Sequence, residues 1–230
     1  ITVHRGAPKG RFIRPAGLDI SAGDIALAKG TCLSARSIGL ATATGATSAT
    51  VSVPPRIGIL STGDELVAAG KTPGPGQIIS SNAAFLTAFV KSYGAEAVDL
   101  GIIKDRPGAV FDAVTAAENL QLVVTTGGAS VGSHDHIASD LASGALDFWK
   151  IAMRPGKPLI WGKIGDIPLL GLPGNPVSTA VCALVFLAPA ICKLGGGTPQ
   201  HYLFSAPLTT DMPENDQRQD YIRATLTTND

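Results

Sequence analysis

Three apolar runs in this 230-residue chain lead into glycine-rich turns, and that pattern restricts the fold more than any other feature. The turns read TTGGASVGSHD (125–135), MRPGKP (153–158) and GLPGNPVS (171–178). An unbroken apolar run such as LQLVVTT (120–126) predicts a strand buried on both faces of a parallel sheet. Glycine directly after such a strand permits close backbone approach to another group. The first and third turns lead from strand to helix, an arrangement suited to holding an anion at a helix N-terminus. The middle turn sets two cations, Arg154 and Lys157, three residues apart.

The rest of the chain extends this pattern. RIGILS (56–61) and AVDLGI (97–102) read as strands. Between them Asn82 is a natural N-cap, after which Phe85, Leu86, Phe89, Val90 and Tyr93 recur at helical spacing until Gly94. Pro107 suits the first turn of a further helix running to about residue 119. A short helix is expected over about 134–143, and strands over 146–153, 159–163 and 168–172. A long helix should start at Asn175. Strands alternating with helices predict a doubly wound, mostly parallel α/β sheet over residues 54–196, with its ligand site at the C-terminal strand ends. Residues 1–53 contain short β-like pieces and turn signals, and predict a small β-rich module that ends at Pro54-Pro55. Residues 197–230 predict the start of a second β-rich module. The chain begins without Met, as if in mid-domain, and reads as a piece of a longer protein.

Composition excludes several classes. Apolar residues make up 45% of the chain, enough for a real core, and the formal net charge is zero. Zero charge argues against binding nucleic acid through bulk charge. The three cysteines, Cys32, Cys182 and Cys192, form no CxxC pair and fit a reducing cytoplasm. No signal-peptide pattern opens the chain. Residues 177–192 are nearly all apolar, yet shorter than a membrane span requires and interrupted by Pro189, so a buried core helix is expected.

Each turn has a chemical and a purely structural interpretation. At GLPGNPVS, Asn175 and Pro176 can simply start a helix, or the first-turn N–H groups and Ser178 can hold an oxyanion. In TTGGASVGSHD, Gly127 and Gly128 allow a ligand close to the backbone, and Ser130 offers a hydroxyl. Asp135 can cap the following helix or hold a metal or water. Arg154 can grip an oxyanion bidentately while Lys157 acts as a point charge, or both can sit on a solvated loop. STGDEL (61–66) closes the first strand with Asp64 and Glu65, which can cap a helix or hold Mg²⁺. Asp19 in PAGLDI, taken alone, is a surface residue.

With these motifs in place, the chain resembles the molybdopterin molybdenumtransferase family. The matching stretches run in order from about Arg14 to Arg223: AGLDISAGD, ILSTGDEL, Ser81-Asn82, YGAEAVDLGIIKD, TTGGASVGSHD, FWKIAMRPGKP and GLPGNPVSTA. The resemblance implies an enzyme with a molybdopterin-binding α/β domain. Such an enzyme inserts molybdate into adenylylated molybdopterin, with Mg²⁺-dependent release of AMP. It implies that Ser130 and Asp135 handle cofactor and adenylate cleavage, and that Arg154, Lys157 and Ser178 bind molybdate or the pterin phosphate. Asp64 and Glu65 match the family's acidic turn, with Asp135 and Glu65 as the implied Mg²⁺ ligands. Asp19 matches an acid of the β-rich module, which the family's homodimer brings to the partner subunit. Two positions depart from the family pattern: Ser80 and Ser133 stand where acids are common. Those departures leave open a non-catalytic molybdopterin-binding or scaffold protein of the same fold.

Overall fold

The computed structural model describes residues 2, 6–127, 146–199, 203 and 205–227. It separates into two compact units, Ile1–Val51 and Ser52–Asp230. In the first unit the only element among the described residues is a helix, α1 (Ala35–Ala43), capped by Ser34, whose hydroxyl accepts the Ser37 N–H. No strand forms over residues 1–53 among the described residues. The apolar side chains that suggested strands are solvent-exposed, Phe12 at 87% and Ile25 at 82%. A short apolar piece without a partner strand does not hold extended structure.

The second unit is an α/β domain. Its strands are β1 (Arg56–Thr62), β2 (Leu66–Val67), β3 (Ile78–Ile79), β4 (Glu96–Ile103), β5 (Leu122–Thr126), β6 (Leu146–Trp149), β7 (Met153–Arg154), β8 (Ile160–Ile164), β9 (Ile167–Leu172) and β10 (Gln219–Asp220). Six of them form one sheet in the order β4-β1-β5-β9-β8-β6. The first four run parallel, and β8 runs antiparallel to both β9 and β6. The strand expected over 146–153 is two strands, because Lys150 takes a left-handed φ of 90° and breaks the run. In residues 197–230 the one element among the described residues is β10, paired with β7.

Helices lie on both faces of the sheet. On one face α2 (Ser81–Ser92) and the long helix α4 (Pro176–Leu194) pack Leu86, Val90, Cys182, Leu187 and Ile191 against Ile57, Ile59, Leu122, Val124 and Leu172. On the other face α3 (Ala109–Thr115) places Val110 and Val114 against Leu60, Val123 and Leu169. Consecutive residues of β5 thus enter two different cores, which is why the strand has no polar alternation. Helix α3 starts two residues after Pro107, with Gly108 at its N-cap in the left-handed region. The helix expected over 134–143 lies outside the described residues. Helix α4 meets the length and composition of a membrane span. Its inward face is nevertheless core, with Cys182, Ala183 and Leu187 fully buried. Burial raises the Cys182 thiol pKa to about 11, so this cysteine acts as a small apolar side chain.

Candidate functional site at the strand ends

Chain order fixes where a ligand site can form. From β1 the chain crosses to β4 on one side, and from β5 it proceeds to strands on the other. The C-terminal ends of β1 and β5 therefore flank a topological switch point, the crevice where open α/β sheets bind ligands. Ser61 of β1 is opposite Thr126 of β5, which is opposite Leu172 of β9. The turns after these three strands thus share one edge.

The turns also touch. Gly127 has φ 91°, and a Cβ there would overlap the carbonyl oxygen of Thr62. Only glycine lets the chain leave β5 this close to β1. A Cβ on Gly174 would lie 3.6 Å from the Gly127 Cα. Asn82 braces the same junction: its Nδ2 donates to Thr126 Oγ1 and to the Gly174 carbonyl, both at 2.8 Å. The expected N-cap role of Asn82 is corrected, because Ser80 occupies that position. Ser80 in turn lies buried, with its hydroxyl 3.1 Å from that of Ser61. Thr62 Oγ1 and Thr125 Oγ1 are buried without a hydrogen-bond partner among the described residues. Local sequence marked Asn82 only as a helix cap and gave no role to Thr62 or Thr125, because the surroundings of all three are set by tertiary structure.

At the third turn, Asn175 caps α4 and Pro176 is its first residue. Asn175 Oδ1 accepts the N–H groups of Val177 and Ser178 at 3.0 and 3.2 Å. The expectation that these first-turn donors are free is corrected: the cap uses both. Ser178 itself is buried at the helix start. The middle turn leans on this helix one turn further along. Gly156 has φ 113°, and a Cβ there would sit 2.6 Å from Cys182 Sγ. Lys157 is exposed and has no side-chain partner among the described residues.

Arg154 is different. Its guanidinium lies 2.5 Å from Asp216 Oδ2 and 3.5 Å from Asp220 Oδ2. Asp216 also accepts from Arg218 through Nε, Nη2 and the backbone N–H. Hydrogen bonds from Arg218, with the nearby Arg154 charge, hold the Asp216 carboxyl well below the usual carboxylate range. Arg154 therefore lies in a network of two cations and two anions, and the unneutralised charge of the middle turn is that of Lys157.

The acidic turn follows β1. Asp64 and Glu65 are exposed, and Glu65 folds back so that its Oε2 lies 2.5 Å from where a Gly63 Cβ would be. Two adjacent carboxylates with room for water are a donor set that suits Mg²⁺, a hard cation that retains waters and takes one or two carboxylates. Among the described residues no cluster of three His, Cys, Asp or Glu side chains is placed to hold a metal. Next to this turn, where Gly63 N–H meets the Ile103 carbonyl at 3.4 Å, an open hollow of about 360 Å³ is lined by Ile103, Lys104, Arg106 and Asp112. Gly128, Ser130, Ser133 and Asp135 lie outside the described residues. Asp19 belongs to the first unit, where it pairs with Arg14.

Comparison with known proteins agrees with this architecture. Residues 58–193 match the family described as a probable molybdopterin binding domain. The molybdopterin molybdenumtransferase of Haemophilus influenzae is 37% identical over 217 residues, covering 92% of this chain and 53% of that protein. The Nostoc protein of the same name is 40% identical over 193 residues, covering 81% of this chain and 44% of its own length. The crystal structure of the molybdopterin biosynthesis MoeA protein from Pyrococcus horikoshii superposes with a TM-score of 0.68 at 31% identity, covering 78% of this chain and 45% of that one. The chain spans about half the length of the curated relatives it matches.

Proposed function

The chain belongs to the family of probable molybdopterin binding domains, and from that premise we propose that it is the molybdopterin-handling part of a molybdopterin molybdenumtransferase. Its reaction is the insertion of molybdate into adenylylated molybdopterin with release of AMP, in molybdenum cofactor biosynthesis. The observation that carries this reading is the junction of the turns after β1, β5 and β9 at the C-terminal strand ends, where Gly127, Gly174 and Asn82 meet.

The roles follow from charge. Molybdate and the ligand phosphates are anions. Lys157 offsets that charge as an exposed ammonium on a stiff Pro-Gly turn. The N-terminus of α4, with Asn175 and Ser178, contributes the positive end of a helix dipole. Arg154 offers its fork to the same anion from within its carboxylate network. Gly127 and Gly128 admit the ligand close to the backbone, and Ser130 orients it. Asp64, Glu65 and Asp135 would hold Mg²⁺, with Glu65 and Asp135 as the main ligands; when bound, Mg²⁺ supplies polarisation of the phosphoanhydride. Asp19 serves from the partner subunit of a homodimer. We place the protein in the cytoplasm, with small-molecule partners and neither nucleic acid nor a membrane.

The test is molybdate-dependent AMP release by the complete protein from authentic adenylylated molybdopterin. Release is expected, and Lys157→Ala should lower it on the order of a hundredfold with the melting temperature unchanged. Absence of release from the unaltered protein would refute the reading. A second reading, a molybdopterin-binding scaffold without catalysis, is favoured by Ser80, whose hydroxyl is turned inward to Ser61 and presents no acid. Pterin binding without AMP release would select it.

A further inference from the structure

Strand β10 is two residues long, and what it delivers to β7 is a carboxylate. Asp220 lies directly opposite Arg154 in the parallel ladder. Backbone bonds on either side lock that register, from Gln219 N–H to the Ala152 carbonyl at 2.9 Å and from Tyr221 N–H to the Arg154 carbonyl at 2.7 Å. The Asp220 side chain is 14% exposed, against 46% for Asp216. Asp216 divides its carboxylate between two arginines in open solvent. Asp220 Oδ1 is buried with no hydrogen-bond partner among the described residues. A buried carboxylate so placed is compensated by the nearby guanidinium, and the backbone fixes its position.

We infer that Asp220 is a positioning residue: it holds the Arg154 guanidinium in the orientation in which the middle turn receives an oxyanion. The inference rests on the reading of residues 153–158 as an oxyanion site. Arginine has five N–H donors in a rigid planar fork. Asp216 accepts from Nη2 and Asp220 pairs with Nη1 at 3.5 Å, which among the described residues leaves the Nε–H and a further N–H on each Nη for a ligand. A long side chain already immobilised loses less freedom when it grips an anion. Because two carboxylates and Arg218 bring the network to zero net charge, Arg154 contributes geometry, and Lys157 contributes charge.

Two measurements on the complete protein test this. The first needs no ligand: the Arg154 Nη–H resonances in ¹⁵N-labelled protein at low pH and temperature. The two Nη groups should give separate signals in the unaltered protein, because their carboxylate contacts restrict rotation about Cζ–Nε, should merge in Asp220→Asn, and should separate again in Asp220→Glu. The second is calorimetric titration with molybdate or tungstate. Asp220→Asn should weaken binding about tenfold with the melting temperature held. Arg154→Lys, which keeps the charge and loses the fork, should do the same. In an Arg154→Ala background Asp220→Asn should add nothing. Unchanged Nη–H resonances in Asp220→Asn overturn the inference, as does a weakening that persists undiminished in Arg154→Ala. If the unaltered protein binds no oxyanion, the reading of the turn fails. The resonances then still decide whether Asp220 positions Arg154.

Discussion

Asn82 shows how one side chain can hold a site together without facing a ligand. Its amide spans the end of β5 and the turn after β9 through two 2.8 Å hydrogen bonds, and Thr126, one of its acceptors, is buried. Truncation to Ala leaves the buried Thr126 hydroxyl without its donor, while the exposed Gly174 carbonyl can turn to water. Buried hydrogen-bonding groups left unpaired cost about 1–3 kcal/mol each. Asn82→Ala should therefore lower the unfolding free energy by roughly 2 kcal/mol in urea denaturation. A change within about 0.5 kcal/mol, the range of a neutral surface substitution, would show that the brace is not a stabilising feature. Sequence reading failed at this position for a definite reason. A small polar residue before an apolar periodic run looks like a helix cap, while the true partners lie 44 and 92 positions away. Arg154 is the same case. Its turn was legible, but Asp216 and Asp220, more than 60 residues downstream, were not. Asn175 and Pro176, by contrast, act on their own helix turn, and there the local signal sufficed.

At the scale of elements, the start of α4 decides between a structural and a functional turn. The helix is long and apolar, and a stretch of π-helix (Ala183–Leu187) lies within it. Asn175 consumes two of its first-turn donors, so the helix dipole, rather than a set of free N–H groups, is what remains for an anion. Asn175→Ala should cost about 1 kcal/mol, the usual loss for a cap. Asn175→Asp separates the two roles. Aspartate caps as well as asparagine, and its charge suits a helix N-terminus, so stability should hold or rise. The same charge repels an incoming oxyanion at close range, and molybdate affinity should fall about tenfold. Thermal unfolding and calorimetry on the one variant read both effects. Unchanged affinity would reduce the GLPGNPVS turn to a well-capped helix start. Strands were the more legible elements, because a run buried on both faces leaves an unbroken apolar signature, as in β1 and β5. The split between β6 and β7 was not legible, since nothing in the side-chain pattern announces the left-handed conformation of Lys150.

At the scale of the molecule, stability is unevenly distributed. Among the described residues every core residue belongs to the unit Ser52–Asp230, and both hydrophobic clusters are built on its sheet. Among its described residues the unit Ile1–Val51 has one nine-residue helix without a buried residue, and the rest are turns and irregular chain. A helix of that length without tertiary packing is marginal in water. The apolar pieces before it resembled strands because hydrophobic pattern reports what a segment could bury, not whether a partner is present to bury it. Hydrogen exchange in this 230-residue chain should follow the same division. Amides of β1, β5 and β9 open only with global unfolding and should be the slowest. Amides across 6–51 should exchange close to the unprotected rate, with modest slowing confined to Ala35–Ala43. Mass spectrometry of peptic peptides after brief labelling would resolve the two groups. Protection over 6–51 comparable to that of Leu122–Thr126 would mean that the first unit is stabilised by contacts beyond its own, and that its exposed Phe12, Ile13 and Ile25 are covered in solution.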